Sequence, residues 1–440
     1  MLLGREEVNP DEPDNEGRAP LQYAVMSGRM GIVQMLLQRK EVNPDRPNIF
    51  SQTALSYAAY EGDDASVKML LERGEVNPDK LDNNGRTPLS YAAANGKGEV
   101  VKTLLGRKEV NPDEPDNVGR TPLSYATANR DGKVVVKMLF MRGEVNPDQL
   151  DHRGRTPLSY AAEGRRMLYA EECVGLVKML LGREEVSPNR PDNEGRTPLS
   201  YAASNGHGEV VKVLLGREEV NPDEPDNEGR TPLSYAAEGG HMIDFMKCTA
   251  VVKILLGREE VNPDKPDNEG RVPLQYAVMS GRMGIMKMLL ERKEVNHDRP
   301  NIWGQTPLSY AAGKGYVEVV KVLIGRGGVN PDRQDNTGRT PLSYAAGNGY
   351  GEVVKLLLGC EEVDPDKPDN EGQTPLFHAA AYGYGEVVKP LLGRQDVNPD
   401  KPNHKGTAPL SYAARNGHEE CVMILLGRTV LNFDNLVNNL

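Results

Sequence analysis

Apolar residues recur along this chain in a two-part pattern. Leu89, Ala92 and Ala93 stand at i, i+3 and i+4, one face of a short helix. Thr87 and Pro88 open that helix: Thr caps free amides, and Pro is tolerated at the first helical position, where its missing N–H has no partner to lose. Asn95-Gly96 closes it, because both residues tolerate the left-handed conformation. A second helix is expected from near Glu99, with Val100, Val101, Leu104 and Leu105 as its buried stripe. Gly106 to Val110 leads out. The stretch Asn111-Pro112-Asp113-Glu114-Pro115-Asp116-Asn117-Val118-Gly119 then reads as an extended hairpin finger, since it is made of turn formers.

This unit is written twelve times. Its first-helix leucine falls at Leu21, Leu55, Leu89, Leu123, Leu158, Leu199, Leu233, Leu274, Leu308, Leu342, Leu376 and Leu410, mostly 34 residues apart. A fixed period of this size means stacked copies of one small unit, and no unit buries its apolar face without a neighbour. The expected organisation is a truncated preceding repeat over 1–17, a twelve-repeat array over 18–428 and a tail or cap over 429–440. The 41-residue repeats fall near 155–195 and 230–270. Met1-Leu2-Leu3-Gly4-Arg5-Glu6-Glu7-Val8 copies the end of a second helix, as in Met179-Leu180-Leu181-Gly182-Arg183-Glu184-Glu185-Val186, so the apolar face of the first full repeat is expected to lack a polar cap. Each long repeat carries seven extra residues between its helices, at 165–171 and 241–247. Seven residues is about two helical turns, so the second helices are expected to start near Met167 and near His241, with an interaction loop as the sharper alternative. Residues 18–49 and 271–302 agree at 27 of 32 positions, which marks a block duplication.

At this point the chain resembles the ankyrin repeat family. The resemblance rests on Gly-Arg-Thr-Pro-Leu-x-x-Ala-Ala, on Asn-Gly-His at Asn205-Gly206-His207 and Asn416-Gly417-His418, and on Val-Val-Lys-x-Leu-Leu followed by Val-Asn, all in order. It implies an all-α, ankyrin-type solenoid of stacked helix pairs with β-hairpin fingers, holding partners on the fingers and inner helices. The family usually has His after Thr-Pro-Leu, tying neighbouring turns together. Here Ser stands at Ser90 and most equivalents, with Gln22, Gln275 or Phe377 at the others, so that bonding is not expected to carry over unchanged. The long, proline-bearing wording is similar to arrays of filamentous fungi, where such arrays often form the C-terminal sensor of larger NOD-like signalling ATPases.

Composition narrows the partners. Fifty-three basic and 64 acidic residues give a net charge of −11, and no run of Lys/Arg suggests a phosphate-binding stripe, which argues against nucleic acid. Cys173, Cys248, Cys360 and Cys421 are too few and too scattered for a disulfide framework, which points to a cytoplasmic or nuclear protein rather than a secreted one. No apolar run is long enough for a membrane span.

Chemistry is sought and not found. Gly96-Lys97 and Gly347-x-Gly349-x-Gly351 fail the spacing of a phosphate loop. Of seven scattered histidines, His418 lies three residues from Cys421, but no second pair completes a zinc site. Acids recur once per repeat in a row rather than converging on a pocket, so they read as solvated finger tips. We therefore expect no enzyme, no cofactor and no metal.

Three features break the monotony. Tyr316, Tyr350 and Tyr384 follow the first-helix glycine in consecutive repeats and should form a column, either packed over the turn or serving as anchors. Two fingers drop the usual Asp-Asn-Glu-Gly wording for Asn48-Ile49-Phe50-Ser51 and Asn301-Ile302-Trp303-Gly304. Their aromatic tips, Phe50 and Trp303, either pack on a neighbouring finger or meet a partner. The two inserts are the third feature. The resulting expectation is a monomeric, non-enzymatic protein-interaction scaffold binding a partner protein. The alternative is the sensor or regulatory array of a larger NOD-like signalling ATPase.

Overall fold

The computed structural model describes residues 9–164, 170–239 and 245–427. Among them run twenty-four helices in twelve consecutive pairs, and no strand. The chain divides into two compact units, Met1–Asn227 and Glu228–Leu440, described in turn.

In the first unit, the helix Pro88–Ala94 begins as its sequence demands. Thr87 is extended, its hydroxyl accepts the Ser90 amide at 3.1 Å, and Pro88 follows it. Gly96, at φ 66°, turns the chain back into the second helix Gly98–Leu105. Leu89, Ala92, Ala93, Val100, Val101 and Leu104 are fully buried. A leucine buried this way contributes about 1.5–3 kcal/mol. The alanines let first helix pack on first helix: Ala54–Glu61 on Pro88–Ala94, then Pro122–Thr127, Pro157–Glu163 and Pro198–Ser204. Second helices stack in the same order behind them.

The second unit repeats this scheme. First helices Pro232–Glu238, Pro273–Met279, Pro307–Lys314, Pro341–Gly347, Pro375–Tyr382 and Pro409–Arg415 pack on one another in sequence. Where Val272 replaces the capping threonine, the Gln275 side chain accepts the Val272 amide at 3.1 Å.

The long repeats lengthen the second helix. Ala170–Leu181 and Phe245–Leu256 have twelve residues, against eight for Gly98–Leu105. Matched on the closing Leu-Leu, each starts four residues early, about one turn. The expected starts near Met167 and His241 lie outside the described residues.

The fingers are turns without strands. Asp82 N–H donates to the Arg86 carbonyl at 3.1 Å, one hairpin-like bond. The Asp82 carboxylate then accepts the amides of Asn84 and Arg86, each at 2.8 Å. Amides bound to that side chain are not available for a ladder. Successive fingers are joined instead by asparagine. Asn117 donates its backbone N–H to the Asn84 carbonyl and its side-chain amide to the Asn83 carbonyl, both at 2.9 Å. Two features favour glycine at Gly85: its φ is 75°, and a Cβ there would come within 2.8 Å of the Asn117 amide nitrogen, although Ser51 takes the same place at φ 61° in another finger.

Candidate partner-binding surface

Each regular finger carries an aspartate, an arginine four residues later and a tyrosine five after that. In the first unit, Tyr91, Tyr125, Tyr160 and Tyr201 donate their hydroxyls to Asp82, Asp116, Asp151 and Asp192 at 2.5–2.6 Å. Burial first, and then the bonded carboxylate, pushes the Tyr91 and Tyr125 phenols up to about 12. The arginines lie over these rings, and two of them bridge repeats. Arg86 sits 5.8 Å from the Tyr91 ring centroid and 5.3 Å from that of Tyr125; Arg155 sits 4.0 Å from Tyr160 and 4.7 Å from Tyr201. A flat cation over a ring is held without freezing a long flexible side chain in water. In the second unit, Arg230 bridges Tyr235 and Tyr276 in the same way.

This stripe was not recognised from sequence, although its spacing of four and five was visible. The arginine reads locally as part of a helix-start phrase. Its second ring belongs to the next repeat.

In the first unit the stripe opens into a groove of about 670 Å³ between the finger tips Val118, His152 and Arg153 and the first helices. Ala94 and Ala128, with small side chains, are among its lining residues. Arg155 is held there by Glu163, at 2.5 Å.

The serine that replaces the family's histidine stays local. Ser90 bonds the Thr87 hydroxyl, at 3.1 Å, rather than the next turn. Where glutamine stands instead, cross-turn bonding returns. The Gln22 amide donates to the Arg46 carbonyl at 3.0 Å and the Gln52 carbonyl at 2.9 Å; Gln275 does the same to Arg299 and Gln305.

Phe50 and Trp303 lie at finger tips, 54% and 48% exposed. Beside them Ile49 and Ile302 take the place of the finger asparagine and are exposed as well. Their backbone amides still bond the preceding finger, at the Glu16 and Glu269 carbonyls, each at 2.9 Å. The second bond of an asparagine amide is lost, and an apolar side chain faces water in its place. These fingers also have Asn for the usual aspartate and Gln for the usual arginine, so Gln52 and Gln305 donate to Tyr91 and Tyr344 of the following repeats, at 2.8 and 3.0 Å.

Tyr316, Tyr350 and Tyr384 are half-buried, each just before a second helix. A Cβ at Gly315 or Gly349 would run into the ring of Tyr350 or Tyr384, so these two rings cover the preceding turn. Gly281, the glycine that Tyr316 would cover, has open space around it. His418 holds the same position over Gly383 and also bonds the Ala381 carbonyl at 3.0 Å.

Among the described residues no helix is long and apolar enough to cross a membrane. A search of curated proteins finds no match. A family model described as ankyrin repeats (3 copies) matches residues 31–116, 55–149, 99–171, 166–248, 219–301, 242–335, 294–369, 323–403 and 348–437. These matches cover far more than half of the chain, which therefore belongs to the ankyrin repeat family.

Proposed function

We propose that this protein is a non-catalytic scaffold that holds a partner protein along its fingers and first helices. The observation that carries this reading is the pair of apolar finger tips. At Ile49-Phe50 and Ile302-Trp303 the chain gives up a finger-to-finger hydrogen bond and leaves large apolar side chains exposed. Stability of the stack offers no reason for that exchange, whereas a partner surface does: tryptophan in a desolvated contact is the residue type that most often dominates an interface. Phe50 and Trp303 are the primary anchors in this reading, and Tyr316, Tyr350 and Tyr384 flank the second unit's contacts. Four cysteines without disulfides accord with a cytoplasmic or nuclear setting, and the scaffold acts as a monomer.

A photo-reactive residue in place of Trp303 should cross-link the partner. Trp303→Ala should then weaken the isolated complex at least about tenfold and leave the melting temperature within a degree or so. Loss of stability with binding spared would make the ring a packing residue.

A further inference from the structure

We propose that the groove of the first unit takes an extended acidic peptide segment, whose carboxylates seat on Arg86 and Arg153. This rests on the scaffold reading and names the chemistry of one partner segment.

The chain carries a net charge of −11, yet its groove is lined by Arg86, Arg120, Arg153 and Arg155 with His152, against the carboxylates of Asp151 and Glu163. Two of the four arginines are already committed. Arg120 pairs with Asp116 at 3.3 Å and Arg155 with Glu163. Arg86 and Arg153 make no ion pair among the described residues. The contrast at Arg86 is local. Arg18, Arg120 and Arg271 occupy the same place in their repeats, and each pairs with the aspartate of its own finger, Asp14, Asp116 and Asp267. The Asp82 carboxylate, like its equivalents, accepts the tyrosine hydroxyl and two backbone amides, but the Arg86 guanidinium does not pair with it. Arg86 is left half-buried over two rings, near the Asp82 charge but in no ion pair with it, and its Nε finds no acceptor. Arg153 stands on an exposed finger tip across the groove. A carboxylate fits such a guanidinium with two parallel bonds.

Spacing makes the occupant extended. Stacked repeats lie about 10 Å apart, which an extended chain covers in about three residues. Arg86 and Arg153 belong to repeats two steps apart, so acids about six residues apart reach both. An even separation also puts both side chains on the same side of an extended chain. The groove volume and the small side chains of Ala94 and Ala128 in its lining leave room for a backbone with small side chains.

The test uses the full chain and a labelled peptide with two glutamates about six residues apart in a small neutral background, followed by fluorescence anisotropy. It should bind at least about tenfold more tightly than the same peptide with glutamines, and the advantage should shrink as salt rises. Arg86→Gln with Arg153→Gln should erase the advantage; Lys321→Gln, on the other unit, should keep it. Glutamine is compatible with the first site, because Gln52, Gln305 and Gln373 stand there in other repeats. Should the double variant unfold, Arg153→Glu alone, on its exposed tip, must still weaken the glutamate peptide. Equal affinity for the glutamate and glutamine peptides, an undiminished advantage in the double variant, or single-stranded RNA competing as well as the peptide each overturns the proposal. If those results appear while the partner cross-linked from position 303 still binds, only the groove assignment falls; if that partner is lost as well, the scaffold reading falls with it.

Discussion

Ile32 and Ile285 hold the same place in the two copies of a duplicated block, yet Ile32 is 44% exposed and Ile285 is fully buried. The surrounding sequence is nearly the same: Met30-Gly31-Ile32 matches Met283-Gly284-Ile285. Ile285 lies on Met283–Leu290, which packs against the preceding second helix, Phe245–Leu256. Ile32 lies on Met30–Leu37, the first second helix among the described residues. Tyr23 and Tyr276 differ in the same sense, one exposed and one buried. One sequence thus has two burial states, decided by the neighbour.

Ile285→Lys should therefore destabilise the second unit by at least about 2 kcal/mol, since a buried ammonium has no partner there, while Ile32→Lys should change stability by less than about 0.5 kcal/mol. Denaturant melts, together with amide exchange in each variant's own repeat, check this. Equal losses at both sites would show that the first face is covered in solution.

Asp113 and Asp116 lie three residues apart and should respond oppositely to conversion into asparagine. Asp116 accepts the amides of Val118 and Arg120, the Tyr125 hydroxyl and the Arg120 guanidinium. Asp116→Asn removes the charge and puts an N–H₂ group where an acceptor is needed, a cost of about 2 kcal/mol or more. Asp113 accepts the Asn146 amide through one oxygen, while its other oxygen is buried without a partner. Burial holds its carboxyl above the usual carboxylate range, and nearby Glu144 adds to this. A raised native pKa means stability is fullest below the unfolded value near 3.8 and is lost as pH rises through the native one. Asp113→Asn avoids that loss, so it should match wild type in acid and equal or slightly exceed it at neutral pH. Thermal melts from pH 3 to 7 distinguish the two sites; a large loss from Asp113→Asn at neutral pH would refute the difference.

His378 replaces the stripe's tyrosine and bonds Asp369 at 2.9 Å. Burial, helped by the charge of Arg339, lowers its pKa below 6.5, while Asp369 opposes the shift. A buried neutral imidazole favours folding above 6.5, and stability falls as pH drops from 6.5 towards the native value, because the unfolded chain takes up the proton first. His378→Tyr restores the residue found at Tyr344, whose hydroxyl bonds Asp335 at 2.6 Å. The variant should lose less of its melting temperature between pH 7.5 and about 5.5 than wild type does. A parallel fall in both proteins would place the sensitivity elsewhere.

The helix pairs were legible because their signals are local. Thr87-Pro88 starts a helix, Gly96 turns it, and the buried leucines and valines follow a helical period. That the inserts lengthen Ala170–Leu181 and Phe245–Leu256 was legible from their two-turn length, of which about one turn falls within the described residues. What could not be read joins residues a whole repeat apart. Asn117 looks like a solvated turn residue until the carbonyls of Asn83 and Asn84 are beside it. Arg86 looks like part of a cap phrase until Tyr125 of the next repeat lies under it. The absence of hairpin strands among the described residues has a local origin instead: the finger aspartate absorbs amides that a sequence pattern assigns to a ladder.

The asparagine links between fingers also have a direction. Asn117, Asn193 and Asn370 all donate towards the finger before them, and each finger offers its carbonyls to the one after. Every regular unit thus has a donor end and an acceptor end of the same kind. A block of units can be copied and spliced between any two others with both of its seams already matched. The near-identity of residues 18–49 and 271–302 is the trace of such a copy, and the array can lengthen or change its contact surface without reinventing a joint.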